Sequence, residues 1–520
     1  MSRRGSAPAG FGSARGGVLA ARAARATRDA HDTHGAPVTL LDHAGCYDAL
    51  QARDARFDGR FFVGVSSTGI YCRPVCAVRL PRRENCSFFA SAAAAEAGGY
   101  RPCLRCRPEL APGFAAIDAP AAIARRAASL IEDGSLADEG LEGLARRVGV
   151  TDRHLRRVFA AQFGVSPVQY AQTQRLLLAK RLLTDTTMPV TEVAMASGFS
   201  SLRRFNALFS QRYRMAPSRL RAQAPRDRAD PAMRFELAYR PPFDWDWLLG
   251  FLAERVIAGV ETVAARSYRR VVGLTVGGHT HAGWLEVRHR AARRTLEVRI
   301  SPSLGRVIPQ VLARVKCLFD TDCRPDEVAR VLSTLAADAP GLRVPGAFDG
   351  FELAVRAILG QQVSVRAAHT LAGRIARTFG VPVDTGIDGL VCAFPTAQVL
   401  AATSVDEIAS LGIIAQRARA IIALAHALAD GDLRLESGAD VERELQALNA
   451  LAGVGDWTAQ YIAMRALGWP DAFPAADLVV MKALGVKTAA QARDAAAAWR
   501  PWRAYAVMHL WRSQAQRARR

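Results

Sequence analysis

Thr68-Gly69-Ile70-Tyr71-Cys72-Arg73-Pro74-Val75-Cys76 sets two cysteines four positions apart, and Tyr100-Arg101-Pro102-Cys103-Leu104-Arg105-Cys106 supplies a second close pair. Two short turns of this kind can surround one ion, because tetrahedral Zn2+ takes four thiolates at about 2.3 Å and needs nothing more in a closed site. Cys72, Cys76, Cys103 and Cys106 are therefore the predicted metal ligands. The spacing alone fits a purely structural zinc site in a small, loop-rich domain. Six of the nine cysteines lie between Cys46 and Cys106, whereas Cys317, Cys323 and Cys392 are scattered. Cys46 and Cys86 match neither pair and read as ordinary thiols. Residues 1–36 are rich in Arg, Ala and Gly without a continuous apolar run, so they read as a disordered tail and not a secretory signal. A cytoplasmic location is expected, where clustered cysteines bind metal more often than they cross-link.

Beyond the cysteines, residues 120–222 read as short amphipathic helices punctuated by Gly and Pro. They contain a repeat. Gly149-Val150-Thr151 opens a stretch ending at Gly164-Val165-Ser166-Pro167, and Gly198-Phe199-Ser200 opens one ending at Arg214-Met215-Ala216-Pro217. Each glycine separates two short predicted helices, the layout of a helix-turn-helix. A generic helical bundle would share the short helices. The duplicated register, with Arg153, Arg156 and Arg157 in one second helix and Arg203 and Arg204 in the other, favours a pair of DNA-reading units. A polar linker follows (223–232). Strand patterns then run to about Ile300, as in Arg270–Val276 and Thr295–Ile300, interrupted by a helix near Trp247–Leu252, and residues 306–520 are helical again.

The whole chain has 520 residues, 69 Lys and Arg against 48 Asp and Glu, and a net charge of +21. Residues 1–230 hold 34 basic and 20 acidic side chains, so the surplus is concentrated there. Such a surplus suits a polyanion, nucleic acid above all. The bland alternative is compositional drift, since only Lys180, Lys316, Lys482 and Lys487 are lysines beside 65 arginines. No run of 18 apolar residues exists, and no membrane partner is expected.

The segments Arg60-Phe61-Phe62-Val63-Gly64-Val65, Thr68–Cys76 and Tyr100–Cys106 closely resemble the N-terminal domain of Ada-type adaptive-response regulators, and the likeness continues through an AraC-type helix-turn-helix pair. The resemblance implies that Cys72 accepts a methyl group from DNA methylphosphotriesters while all four cysteines hold one zinc ion. It also implies tighter promoter binding after methylation. Chemically this is reasonable: four thiolates on Zn2+ carry a formal charge of −2, methylation of one leaves −1, and repulsion from DNA falls. Arg73, Arg101, Arg105 and Arg107 are candidate phosphate contacts.

Leu451-Ala452-Gly453-Val454-Gly455-Asp456-Trp457-Thr458-Ala459 has the two-glycine turn of a helix–hairpin–helix. Such a turn lets main-chain amides approach a phosphate, and its carbonyls are a candidate site for a monovalent cation. With Asp477, Ala357-Ile358-Leu359-Gly360-Gln361-Gln362-Val363-Ser364 and Trp499-Arg500-Pro501-Trp502-Arg503-Ala504-Tyr505-Ala506, residues 233–515 resemble the AlkA-type 3-methyladenine DNA glycosylase II. The resemblance implies catalysis by Asp477, a base pocket of Trp457, Tyr461, Trp502 and Gln361, and DNA contacts from Gln362, Gly453, Gly455 and Thr458. Helix capping is the structural alternative for Asp477, and core packing the alternative for the aromatics. Bifunctional relatives carry a Schiff-base lysine where this chain has Trp457, so base release without strand cleavage is expected.

The expected architecture is a multidomain α+β chain. It comprises a zinc-bound methyl-acceptor domain (37–115), an all-α double helix-turn-helix (120–222), a small antiparallel β/α domain (233–305) and a mainly α helix–hairpin–helix domain (306–520). The expected activity joins excision of 3-methyladenine and 7-methylguanine to methyl-triggered transcription activation. Expected partners are double-stranded DNA and RNA polymerase, with the protein monomeric. The alternative is a transcription regulator whose glycosylase half binds DNA without catalysis.

Overall fold

Two-residue pairing near the cysteines explains why they meet. The structure, a computed structural model, describes residues 43–112, 119–222, 232–276 and 278–519. The expected tail 1–36 and most of the linker 223–232 lie outside them. Strands β1 (Phe62–Val65), β2 (Ile70–Cys72), β3 (Cys86–Phe89) and β4 (Arg101–Pro102) form a sheet in the order β3-β1-β2-β4. β2 and β4 run parallel with Tyr71 opposite Pro102, so the chain delivers Cys72 and Cys103 side by side. Helix α1 (His43–Gln51) closes a small core in which Cys46 and Cys86 are buried with Phe61, Val63 and Val65. Helix α2 (Ala92–Ala97) covers the other side, capped by Ser91.

Seven helices follow: α3 (Ala119–Glu132), α4 (Ser135–Arg147), α5 (Asp152–Phe163), α6 (Pro167–Asp185), α7 (Val190–Ala196), α8 (Leu202–Tyr213) and α9 (Pro217–Ala222). The repeat is a pair of helix-turn-helices, α4–α5 and α7–α8, joined by α6. Gly149 and Gly198 sit in the two turns at φ 76° and 78°, a conformation that a side chain would strain. Thr151 and Ser201 cap α5 and α8 through their hydroxyls, and Ser166 with Gln169 forms a capping box on α6. The register of the repeat extends to its ends, because Gly164 and Arg214 both adopt left-handed geometry as the C-caps of α5 and α8.

Strands β5 (Met233–Ala238), β6 (Glu261–Ala264), β7 (Ser267–Val276), β8 (His279–Arg290) and β9 (Thr295–Ile300) build an antiparallel sheet in the order β5-β9-β8-β7-β6. The expected interrupting helix is α10 (Trp245–Ala253). The remainder is helical apart from a two-residue strand pair.

The cores do not follow the segment pattern. The first helix-turn-helix has its own apolar cluster, with Phe159, Phe163 and Tyr170 at its centre. The second shares one continuous core with the five-stranded sheet and the C-terminal helices, through Leu176, Leu183, Phe205 and Phe209. Ion pairs join the parts further. Arg60 of the cysteine domain meets Asp326 and Glu327, and Arg147 of α4 meets Glu436.

Candidate active site and metal centre

Asp477 is the N-cap of the helix Leu478–Leu484, where its Oδ1 accepts the Val480 amide at 2.9 Å. Capping leaves lone pairs free for two indoles. Trp457 Nε1 donates to Oδ2 at 3.0 Å, and Trp511 Nε1 donates to Oδ1 at 3.2 Å. The carboxylate therefore receives three N–H donors and is 8% exposed. The capping reading of Asp477 holds, and the same carboxylate still accepts both indoles. Trp457 stacks on Tyr461 at 5.3 Å with 9° between their planes, one helical turn apart on Asp456–Arg465, and Trp511 lies 6.3 Å from Tyr461. The Tyr461 hydroxyl accepts Arg465 at 2.6 Å. Burial pushes that phenol up, but Arg465, Arg255 and Arg356 outweigh it and leave it lowered.

Trp511 is the residue that the sequence reading missed. It stands on the long C-terminal helix Arg503–Arg519, nine positions after Trp502, where nothing in local spacing marks it. Trp502 itself is buried edge-on against Tyr505 and makes no hydrogen bond or ring contact with the Asp477 group among the described residues. It lines a cavity of about 850 Å3 that also contacts Arg465 and Asp320 but neither Asp477 nor Trp457. The reason is its place at the start of the helix, two turns and more from the indole that reaches the carboxylate.

Gln361 is half-buried beside the hairpin. Its amide donates to the Gly453 carbonyl at 2.9 Å and to Thr458 Oγ1 at 3.0 Å, so it ties the hairpin to the end of the helix Gly350–Leu359. Thr458 is buried, and that bond occupies its hydroxyl inside the protein instead of facing DNA. Gly453 is exposed at φ 89°, and Gly455 is an N-cap with no side-chain cap bond and open space around its Cα. That helix start offers its amides outward. Gln362 is exposed with φ 54°, a strained posture for a residue at a loop tip. Leu478, beside Asp477, is 78% exposed, an apolar surface on the rim of the site. Lys482 is exposed on the same helix.

At the other end of the chain, the sulfurs of Cys72, Cys76, Cys103 and Cys106 all lie within 4.8 Å of one another. Thiolates on one zinc ion form a tetrahedron with edges of about 3.8 Å, so the four fit the ion. The Arg73 amide donates to Cys106 Sγ at 3.4 Å. A small apolar cleft with Leu50, Val63, Val65 and Leu80 in its walls reaches Cys72 and Cys76. Of the four arginines read as phosphate contacts, two are committed to packing. Arg73 is buried on Asp58, with Nε donating at 2.8 Å, and Arg107 pairs with Asp185 at 2.5 Å and Glu109 at 3.1 Å. Arg105 is exposed and Arg101 half-buried.

Arg153, Arg156 and Arg157 are exposed on α5, and Arg203 and Arg204 on α8. Arg156 pairs with Asp152 one turn back, and Arg157 contacts His154.

Four family descriptions match successive segments: metal binding domain of Ada over 45–109, helix-turn-helix domain over 144–223, AlkA N-terminal domain over 234–349, and HhH-GPD superfamily base excision DNA repair protein over 355–497. The chain is 39% identical over 492 residues to a probable bifunctional transcriptional activator/DNA repair enzyme AlkA of Mycobacterium tuberculosis, covering 90% of this chain and 96% of the relative. It is 41% identical to DNA-3-methyladenine glycosylase 2 of Escherichia coli over 53% of this chain and 96% of that protein. To the bifunctional transcriptional activator/DNA repair enzyme Ada of Escherichia coli it is 39% identical over 28% of this chain and 38% of that protein. With a cysteine cluster, a helix-turn-helix pair and a helix–hairpin–helix core on one polypeptide, the chain belongs to the family of bifunctional Ada/AlkA-type transcriptional activators and DNA repair enzymes.

Proposed function

We propose that this protein excises alkylated purines from DNA by N-glycosidic hydrolysis and takes methyl groups from methylphosphotriesters onto Cys72, which raises its promoter affinity. The observation that carries the first activity is Asp477, held by Trp457 and Trp511 beside the stacked Trp457–Tyr461 pair. An alkylated purine carries positive charge and leaves readily once extruded, so the site needs no strong acid. Electron-rich rings favour the flipped cation. As the glycosidic bond lengthens, positive charge develops on the sugar, and the fixed Asp477 carboxylate stabilises it without reorganising. Water completes the reaction with the same carboxylate orienting it. Trp457 stands where a Schiff-base lysine would be needed, so strand cleavage does not follow.

In the second activity Cys72 Sγ forms a bond to the methyl carbon while the carbon–oxygen bond to phosphate breaks, and the phosphodiester leaves as an anion. Cys72, Cys76, Cys103 and Cys106 would hold one zinc ion, which would keep their sulfurs as thiolates. The apolar cleft against Cys72 suits a methyl group. The amides at Gly455 and the exposed Gln362 suit a duplex opened at the lesion, and the hairpin carbonyls suit a monovalent cation. We further read RNA polymerase as the partner of the promoter-bound form and the protein as monomeric.

The test incubates the zinc-loaded protein with duplex DNA carrying labelled methyl groups. Free 3-methyladenine and 7-methylguanine are expected in solution, one labelled methyl per chain on the protein, and no borohydride-trapped DNA adduct. Absence of released base refutes the first activity, absence of protein label the second, and a trapped adduct the claim of base release alone.

A further inference from the structure

Helix α2 of the cysteine domain lies between the two reading helices and touches the C-terminal end of each. At its start, the Ser91 hydroxyl donates to the carbonyl of Phe163, the last residue of α5, at 2.9 Å while also capping α2 through the Ala94 amide. Beside it, Gly164, the C-cap of α5, faces Ala94. At the other end, Arg212 of α8 donates to the Glu96 carbonyl at 2.9 Å and lies 3.6 Å from its carboxylate. The remaining carboxylate contacts are equally specific. Glu96 Oε2 accepts Thr173 of α6 at 3.1 Å, and Oε1 accepts the hydroxyl of Tyr71, the residue before Cys72, at 3.1 Å. Glu96, Tyr71 and Thr173 are all buried. The Ala-rich sequence of α2 permits this fit, with Ala92 and Ala95 packed on Tyr71 and Leu177 of α6 while Ala93 joins the core of the first helix-turn-helix. A six-residue helix spans about 9 Å, close to the thickness of one helix.

We infer that α2 is a strut that fixes the separation and tilt of the two reading helices, with Ser91 and Glu96 as its positioning residues. The domain that bears the methyl acceptor thereby sets the spacing of the DNA half-sites. This rests on the reading that α5 and α8 both dock on DNA. Without the strut, α6 and the contacts each unit makes with the C-terminal half remain, but the hydrogen bonds that hold the C-terminal ends of α5 and α8 to one common element are lost. The contact from Tyr71 to Glu96 also gives Cys72 a direct mechanical route to the strut, separate from any change in net charge.

The experiment uses the full-length, zinc-loaded, unmethylated chain. A duplex is selected from a random-sequence pool with wild type, and a second duplex carries one base pair inserted between its half-sites. The insertion shifts one groove by about 3.4 Å and about 35°. Wild type is expected to lose at least thirtyfold in affinity on the inserted duplex. The Ser91→Ala/Arg212→Gln double variant, which removes the contacts at both ends of α2, should lose less than fivefold, and Ser91→Thr should keep the wild-type penalty. Arg212→Gln, which breaks only the α8 end from a partly exposed side chain, should fall between them. Zinc content and base release should match wild type throughout, which separates lost positioning from misfolding. A wild-type penalty in both the double variant and Arg212→Gln overturns the strut. Indifference of wild type to the insertion overturns the underlying reading that both helices dock, and the strut with it.

Discussion

Replacing Asp477 by Asn isolates charge from structure in the base-excision site. Asn caps helices about as well as Asp, so the Val480 amide keeps its partner and the change of cap itself costs less than about 1 kcal/mol. One side of the new amide, however, is a donor. It must face an indole N–H, because Trp457 and Trp511 address opposite oxygens of the carboxylate. The larger effect is electrostatic. A carboxylate about 4 Å from a developing sugar cation contributes about 4 kcal/mol at an effective dielectric constant of about 20. At about 1.4 kcal/mol per tenfold, single-turnover base release should fall by about a thousandfold. Duplex binding should be little changed, since the hairpin amides and Gln362 are untouched. The assay follows free base by chromatography from methylated duplex with enzyme in excess, alongside thermal unfolding. A rate within tenfold of wild type, at unaltered Tm, would refute the role given to the carboxylate charge.

Three other outcomes follow from the geometry. Trp511→Phe keeps a ring against Tyr461 but removes one donor from Asp477, and loss of one such charge-assisted bond should slow base release about tenfold; an unchanged single-turnover rate would leave Trp511 as packing only. Cys72→Ala should abolish labelling of the protein by phosphotriester methyl while base release at the distant Asp477 continues, so persistence of label in this variant excludes Cys72 as acceptor. Burial pushes Glu96 up to about 7, against the opposing pull of Arg212, Thr173, Tyr71 and Lys180. A raised carboxyl binds its proton more tightly in the folded state, so its stabilising contribution is full below about 4.5 and is lost as pH rises through about 7. Glu96→Gln should therefore gain relative to wild type by about 3 kcal/mol between pH 4.5 and 8 in denaturant unfolding; a difference that does not vary with pH contradicts the burial argument.

Much of the molecule was readable from local pattern. Paired cysteines, the glycine-marked repeat and the two-glycine hairpin each encode a backbone geometry within a few residues. In the structure those residues make a four-sulfur cluster, two helix-turn-helices and a hairpin. Asp477 and Trp457 were grouped by the family resemblance, and a hydrogen bond joins them in the structure. Trp511 was not, since its contact with Asp477 depends on how separate helices pack. The same limit explains Trp502, Gln361 and Thr458: an aromatic or polar residue near a motif carries no sign of which way it faces. Arg73 and Arg107 looked free in sequence only because Asp58 and Asp185 lie in other elements.

The sequence by itself determined the two cysteine pairs that cluster, the helix-turn-helix repeat and the two-glycine hairpin, because turns, caps and ligand spacing are short-range properties of the backbone. The tertiary structure alone decided which groups converge on Asp477 and that α2 contacts both α5 and α8. Those arrangements arise from burial: once Glu96, Thr173 and Tyr71 leave water, each must find a partner. The partners come from elements that no local pattern connects.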